Sequence, residues 1–208
     1  MRYFGTLPLI NQTDPYGNNI TVNNILTRAY LLPSLQNNLM MFYTYDLKEV
    51  DTPENISYRY YNDVYRYWIV MYSNGIFDTQ SNWPLNNQQF LLYLNDKYAT
   101  AANGVANVLS YTTSTVHHYE QYITTTNSSD NQGQTITIQI DGDTYNTFVQ
   151  SSTTSTFGNG ISVTKKISAN AISIYEYENN LNESKRKIKI MNNNYVAATE
   201  KQFKSLMS

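Results

Sequence analysis

Hydrophobic and polar positions divide the 208-residue chain into four zones of different texture. Residues 1–24 hold Leu7-Pro8, Asp14-Pro15 and Tyr16-Gly17-Asn18-Asn19, signals of turns and extended backbone rather than of a helix. They predict an extended N-terminal arm. Residues 25–101 are aromatic and helix-competent. Leu39 to Leu47 is an apolar, aromatic run of strand length. Thr52, Pro53 and Glu54 then supply an N-cap, a first-turn proline and a carboxylate where the helix dipole favours one. Ile56 and Tyr60 fall one turn apart on the expected inner face, and Asn62-Asp63 breaks the helix. Val64, Trp68, Met71 and Tyr72 predict a second helix that ends in a left-handed cap at Asn74-Gly75. Phe90, Leu91, Leu94 and Tyr98 predict a third helix over 86–98. Ile56, Tyr60, Trp68 and Met71 are the expected structural core.

Residues 102–169 are rich in Thr and Ser and read as a β-hairpin-rich insertion. Gln134 to Ile140 alternates with period two, isoleucine on one face and threonine or glutamine on the other. Asp141-Gly142 predicts a hairpin turn with a return over 144–149, flanked by loops at 128–133 and 151–160. Residues 170–208 predict a strand pair and a helix that complete the core. Ile172, Ile174, Tyr175 and Tyr177 make the first strand, Arg186 to Met191 the second, and Val196, Phe203 and Leu206 the helix. The strand near Lys187 to Met191 is expected beside Leu39 to Leu47. The fold class is therefore α+β.

Composition narrows the function. Lys+Arg number 14 against Asp+Glu 16, for a formal charge of -2. Binding that neutralises phosphates, or a polybasic membrane anchor, needs a cationic surplus that this chain lacks, so neither nucleic acid nor membrane is expected as a partner. Cysteine is absent, which removes disulfides, thiolate zinc sites and thiol catalysis. No apolar stretch has the length of a membrane span or a signal peptide, and use without export is expected.

Candidate chemistry is sparse. His117 and His118 are strand neighbours and should point to opposite faces, which argues against chelation of one ion. Asp141-Gly142-Asp143 lacks the ligand series of a calcium loop. Glu176 and Glu178, on one face of the expected strand, have the pattern of a glycosidase pair. The nearby Lys185, Arg186, Lys187 and Lys189 offer structural ion pairing as the simpler explanation. Neither catalytic residues nor a cofactor or metal site are expected.

Several segments resemble a known family. Asp51 to Asp63, followed by Tyr67 to Asn74, resembles the LysM module, in which a strand leads into two short helices. Trp68 to Asn74, Ile76-Phe77-Asp78, Trp83-Pro84-Leu85 and Lys97-Tyr98 resemble the baseplate wedge protein 53 family of contractile-tailed phages. Asn23 to Arg28 resembles its segment before that domain. Tyr175 to Glu178, Leu181 to Glu183, Lys185-Arg186 and Ile188 to Ile190 resemble its C-terminal signature. The resemblance implies a LysM-like strand-helix-helix core in a non-enzymatic virion protein that joins wedge subunits around the tail hub. Its partners would be other baseplate wedge and hub-proximal tail proteins, with several copies in a symmetric assembly built in the host cytoplasm. Tyr3, Phe4, Tyr16, Tyr43, Tyr45 and Trp83 are the aromatic residues expected to meet partners. The alternative is a LysM-type peptidoglycan or glycan binder acting through the Val50 to Asn55 loop.

Overall fold

A computed structural model describes residues 3–31, 35, 37–129, 133–158 and 160–207, with backbone alone at 80 and 81. In chain order, β1 (Leu9–Thr13), β2 (Asn19–Asn23) and β3 (Phe42–Asp46) precede α1 (Pro53–Tyr61), α2 (Tyr67–Ser73) and α3 (Thr79–Asn82). Next come α4 (Asn87–Tyr98), α5 (Val108–Ser114), β4 (Val116–Asn127), β5 (Gly133–Ile140), α6 (Gly142–Asn146), β6 (Ser151–Thr156) and β7 (Ser162–Ser173). Then α7 (Ile174–Ser184), β8 (Lys187–Met191) and α8 (Asn193–Met207) follow. The fold is α+β, and the chain divides into two units: Met1–Asn86 with Asn182–Ser208, and Asn87–Leu181.

In the first unit β3 and β8 form an antiparallel ladder in which Phe42 faces Met191 and Asp46 faces Lys187. This is the pairing expected of the second and fourth zones. The helix signals between them are used as the sequence predicts. The Thr52 hydroxyl accepts the Asn55 N–H at 3.2 Å, and Asn62 ends α1 in the left-handed region at φ 52°. Asp63 caps the following turn by accepting from the Tyr65 N–H. Ile56, Ile69, Val70, Ile190, Val196 and Phe203 interlock in the core. Leu206 is exposed and Met207 buried instead, because the inner stripe of α8 runs Val196, Phe203, Met207.

The N-terminal zone is not a bare arm. β1 and β2 pair as a hairpin, Leu9 with Asn23 and Thr13 with Asn19. The Asp14 carboxylate organises its turn by accepting from the backbone of Tyr16 and Asn18. Leu7 is buried, and the Tyr3 ring lies 5.4 Å from Phe203 and 5.8 Å from Trp68. Two anchors thus tie this segment to the core.

The second unit carries an antiparallel sheet in the order β5-β4-β7-β6. Ile136, Ile123 and Ile167 line up across three strands on one face. On the other, the Thr124 and Thr135 hydroxyls meet at 3.0 Å. Three sequence expectations fail here. Asp141-Gly142 makes no hairpin turn: the Asp141 carboxylate caps α6 by accepting from the Thr144 N–H at 2.8 Å, and no strand spans 144–149. Residues 151–156 are no loop but the edge strand β6, whose Ser-Ser-Thr-Thr-Ser-Thr has no apolar period to betray it. The loop expected at 128–133 falls partly on residues 130–132, outside the described residues.

The strand expected through Ile174 and Tyr177 is helix α7. Ser173 and Glu176 form a capping box: the Glu176 carboxylate accepts the Ser173 N–H at 2.9 Å, and the Ser173 hydroxyl accepts the Glu176 N–H at 3.2 Å. Its buried positions, Ile174, Glu178 and Asn182, recur every fourth residue. Two of the three are polar, so the buried face is not the one that apolar spacing through Ile174, Tyr177 and Leu181 marks. The C-terminal zone therefore holds no strand pair of its own; β7 joins β4 and β6, and β8 joins β3.

Candidate partner surface and polar clusters

The six aromatic residues expected at partners divide into two sets. Tyr16, 90% exposed at the β1–β2 turn, Phe4 and Tyr43 present their rings to solvent. Tyr3, Tyr45 and Trp83 turn inward. Trp83 is buried and its indole N–H donates to the Asp51 carbonyl at 3.1 Å. The Tyr45 hydroxyl donates to the Asp51 carboxylate at 2.8 Å and accepts from Arg59. Burial of Asp51 opposes its ionisation, but the Lys48 N–H, the Tyr45 hydroxyl and the Arg59 guanidinium outweigh it and hold the carboxyl below its usual range. This network fixes the segment between β3 and α1.

Of the expected core residues, Ile56 and Trp68 are buried and Met71 is half-buried. Tyr60 is not in the core: it is 39% exposed, with its ring against Tyr45 at 5.8 Å. The inner stripe of α1 is Pro53, Ile56, Ser57 and Tyr61, and the Tyr61 hydroxyl donates to the Met191 carbonyl at 3.1 Å. Adjacent tyrosines at 60 and 61 hide which one faces inward.

Beside Trp68 the first unit has an aromatic recess of about 170 Å³, lined among others by Phe4, Ile25, Arg28, Met71 and Phe77. Arg28 sits over the Phe77 ring at 5.3 Å, and Tyr30 packs edge-on against the same ring at 4.8 Å. The Trp68 indole N–H is buried without a hydrogen-bond partner, enclosed by the rings of Tyr3, Tyr72 and Phe203. Exposed Phe4, Ile25, Leu26 and Tyr30 supply apolar and aromatic surface nearby in sequence, the residue types that dominate protein contacts.

Two polar clusters occupy the second unit. Glu178, only 3% exposed, accepts from Lys97 at 2.7 Å, from the Tyr98 hydroxyl at 2.6 Å and from the Tyr93 hydroxyl at 2.9 Å. Burial opposes its charge, and these three donors more than offset that, lowering its carboxyl. Burial, then the bond to Glu178, pushes the Tyr98 hydroxyl up to about 12. Glu176 is committed to the α7 cap, so the two glutamates do not act as a facing pair on one strand.

The other cluster overturns the expectation for the histidines. Val116 faces Ser173 and His118 faces Ile172, which makes His117 the extra residue of a β-bulge in β4. A bulge suspends the alternation of side chains and re-aims one of them. The two rings consequently share a side, Nδ1 to Nδ1 at 2.9 Å. His118 Nε2 meets Glu120 Oε1 at 3.0 Å, and the Tyr122 hydroxyl donates to the other Glu120 oxygen. Tyr122, then His118, hold the Glu120 carboxyl below its usual range, and the bond to Glu120 is the main force that pushes the Tyr122 hydroxyl to about 12. The Tyr177 ring stacks on His117 at 3.8 Å with 10° between planes. No sequence signal for a bulge exists at Val116-His117-His118, because neither glycine nor a break in β propensity marks it.

Among the described residues, no three or more His, Asp or Glu side chains converge to hold a metal ion, and no helix is long and apolar enough to cross a membrane. No family model matches the chain, and no curated protein matches it significantly.

Proposed function

We propose that this chain is a structural subunit of a contractile phage tail baseplate, joining wedge subunits to one another around the central hub. The observation that carries the reading is that β3, the strand leading into the helices that resemble a LysM module, pairs with β8, the strand inside the segment that resembles the family's C-terminal signature. Strand β3, helices α1 and α2 and strand β8 follow the strand-helix-helix-strand order of a LysM-like core, with residues 87–181 inserted before the closing strand. A shared fold does not fix function, and the LysM-like part is read as a scaffold for protein contacts. The exposed Phe4, Tyr16 and Tyr43 and the recess beside Phe77 supply aromatic anchors for such contacts.

Co-expression with wedge proteins of a contractile phage tail, followed by gel filtration, tests the reading. Recovery in a complex with wedge components supports it. A chain that stays monomeric and instead binds peptidoglycan fragments, with binding lost on substitution in the Val50 to Asn55 segment, would replace it by the glycan-binding alternative.

A further inference from the structure

We infer that His117 and His118 form a binding site for a divalent transition-metal ion of the copper or nickel type, held through their two Nδ1 atoms and completed by water. The argument begins with the bulge. In a regular strand these two side chains would lie on opposite faces; the slip between Val116 and His118 gathers both imidazoles on one side with their Nδ1 atoms 2.9 Å apart. At metal–nitrogen distances of about 2.0 Å, a 2.9 Å separation subtends about 90° at the ion. That is the angle between neighbouring positions of a square-planar or octahedral ion, whereas tetrahedral zinc would spread the nitrogens to roughly 3.3 Å.

The surroundings have the form of an outer ligand shell. A metal-bound imidazole characteristically donates its other ring N–H to a carboxylate, which fixes the tautomer and raises the basicity of the ligating nitrogen. His118 Nε2 has that partner in Glu120, whose second oxygen is held by Tyr122. With the Nε2 proton on His118 directed at Glu120, its Nδ1 carries the lone pair. With that tautomer and both rings neutral, His117 is the donor across the 2.9 Å Nδ1–Nδ1 contact. When the ion binds, the His117 proton moves to Nε2, both Nδ1 lone pairs are donated to the metal, and a neutral pair releases no net proton. Tyr177 stacked on His117 restrains the second ring, and His117 itself is exposed, so the ion can enter from solvent. Two protein ligands leave the other positions to water.

The test is titration of the full chain with Cu2+, read by electron paramagnetic resonance and calorimetry. One equivalent should bind with coupling to two imidazole nitrogens. H117A and H118A should each weaken binding at least 10-fold and reduce the coupling to one nitrogen. Glu120→Gln should weaken it about 10-fold with both nitrogens still coupled. In the wild-type chain, substoichiometric Cu2+ should broaden the imidazole NMR signals of His117 and His118 before any others, a readout that needs no variant to fold. A spectrum without imidazole coupling, broadening that begins elsewhere, or unchanged affinity in the doubly substituted chain would each overturn the site and leave the pair sharing only a proton.

Discussion

The side-chain amide of Asn74 closes a two-bond ring with the backbone of Lys189: its Oδ1 accepts the Lys189 N–H at 2.7 Å and its Nδ2 donates to the Lys189 carbonyl at 2.8 Å. One side chain at the end of α2 thereby imitates a neighbouring strand along β8. Asn74→Ala should destabilise the protein by about 2 to 3 kcal/mol, since the Lys189 N–H and carbonyl and the Val70 carbonyl, to which Nδ2 also donates at 2.8 Å, lose this partner. Asn74→Asp should cost a comparable amount, because an acceptor would then face the Lys189 carbonyl. Urea unfolding of both variants measures this; a loss below about 0.5 kcal/mol in either would show that water replaces the amide.

Trp68 and Tyr60 make a contrasting pair. Trp68 is 3% exposed and ringed by aromatics, so Trp68→Ala should cost about 3 to 5 kcal/mol. Tyr60→Ala, at the surface, should cost under about 1 kcal/mol. Thermal unfolding of the two variants side by side checks the order.

Glu178 predicts an acid-sensitive second unit. Its folded carboxyl titrates below that of an unfolded glutamate, about 4.3. The stabilisation from the three donors is therefore complete above that value and is lost as pH falls through the lower folded one. Glu178→Gln should flatten this part of the pH-stability curve. Glu178→Ala should cost about 2 to 3 kcal/mol at neutral pH, less than a fully buried pair because Lys97 stands half in solvent. Unfolding midpoints between pH 3 and 7, on the order of the range over which carboxylates titrate, provide the measurement; parallel curves for wild type and the Gln variant would contradict it.

Ser173→Ala removes the hydroxyl half of the α7 capping box and should cost about 1 kcal/mol. The effect should appear as faster amide exchange in the first turn of α7, with the β3–β8 ladder unaffected. Uniform loss of protection in both units would refute a local cap.

What the sequence made legible was local and periodic. Thr52 and Pro53 mark the start of α1 and Asn62 its end, and each signal acts through the backbone next to it. Alternation over 134–140 similarly revealed β5. What escaped depended on residues that only the folded chain brings together. Glu178 occupies an inner helical position because Lys97, Tyr93 and Tyr98 await it from α4. β6 is a strand through its ladder with β7, while its own serines and threonines carry no facing preference. Of the candidate site, the aromatic abundance was readable but the inward turn of Trp83 and Tyr45 toward Asp51 was not. The histidine pair was misread because alternation holds only where register does.

The pairing of β3 with β8 also sets a timetable. About 140 residues separate the two strands, so at ribosomal speeds of 5 to 20 residues per second β3 waits roughly 7 to 30 s for its partner to be synthesised. Through that interval Phe42 and the inner faces of α1 and α2 lack the strand that covers them, whereas every strand of the second unit's sheet has been made by Ser173. The inserted unit can finish folding while the older one is still open, and the oldest core in the sequence becomes the last to close.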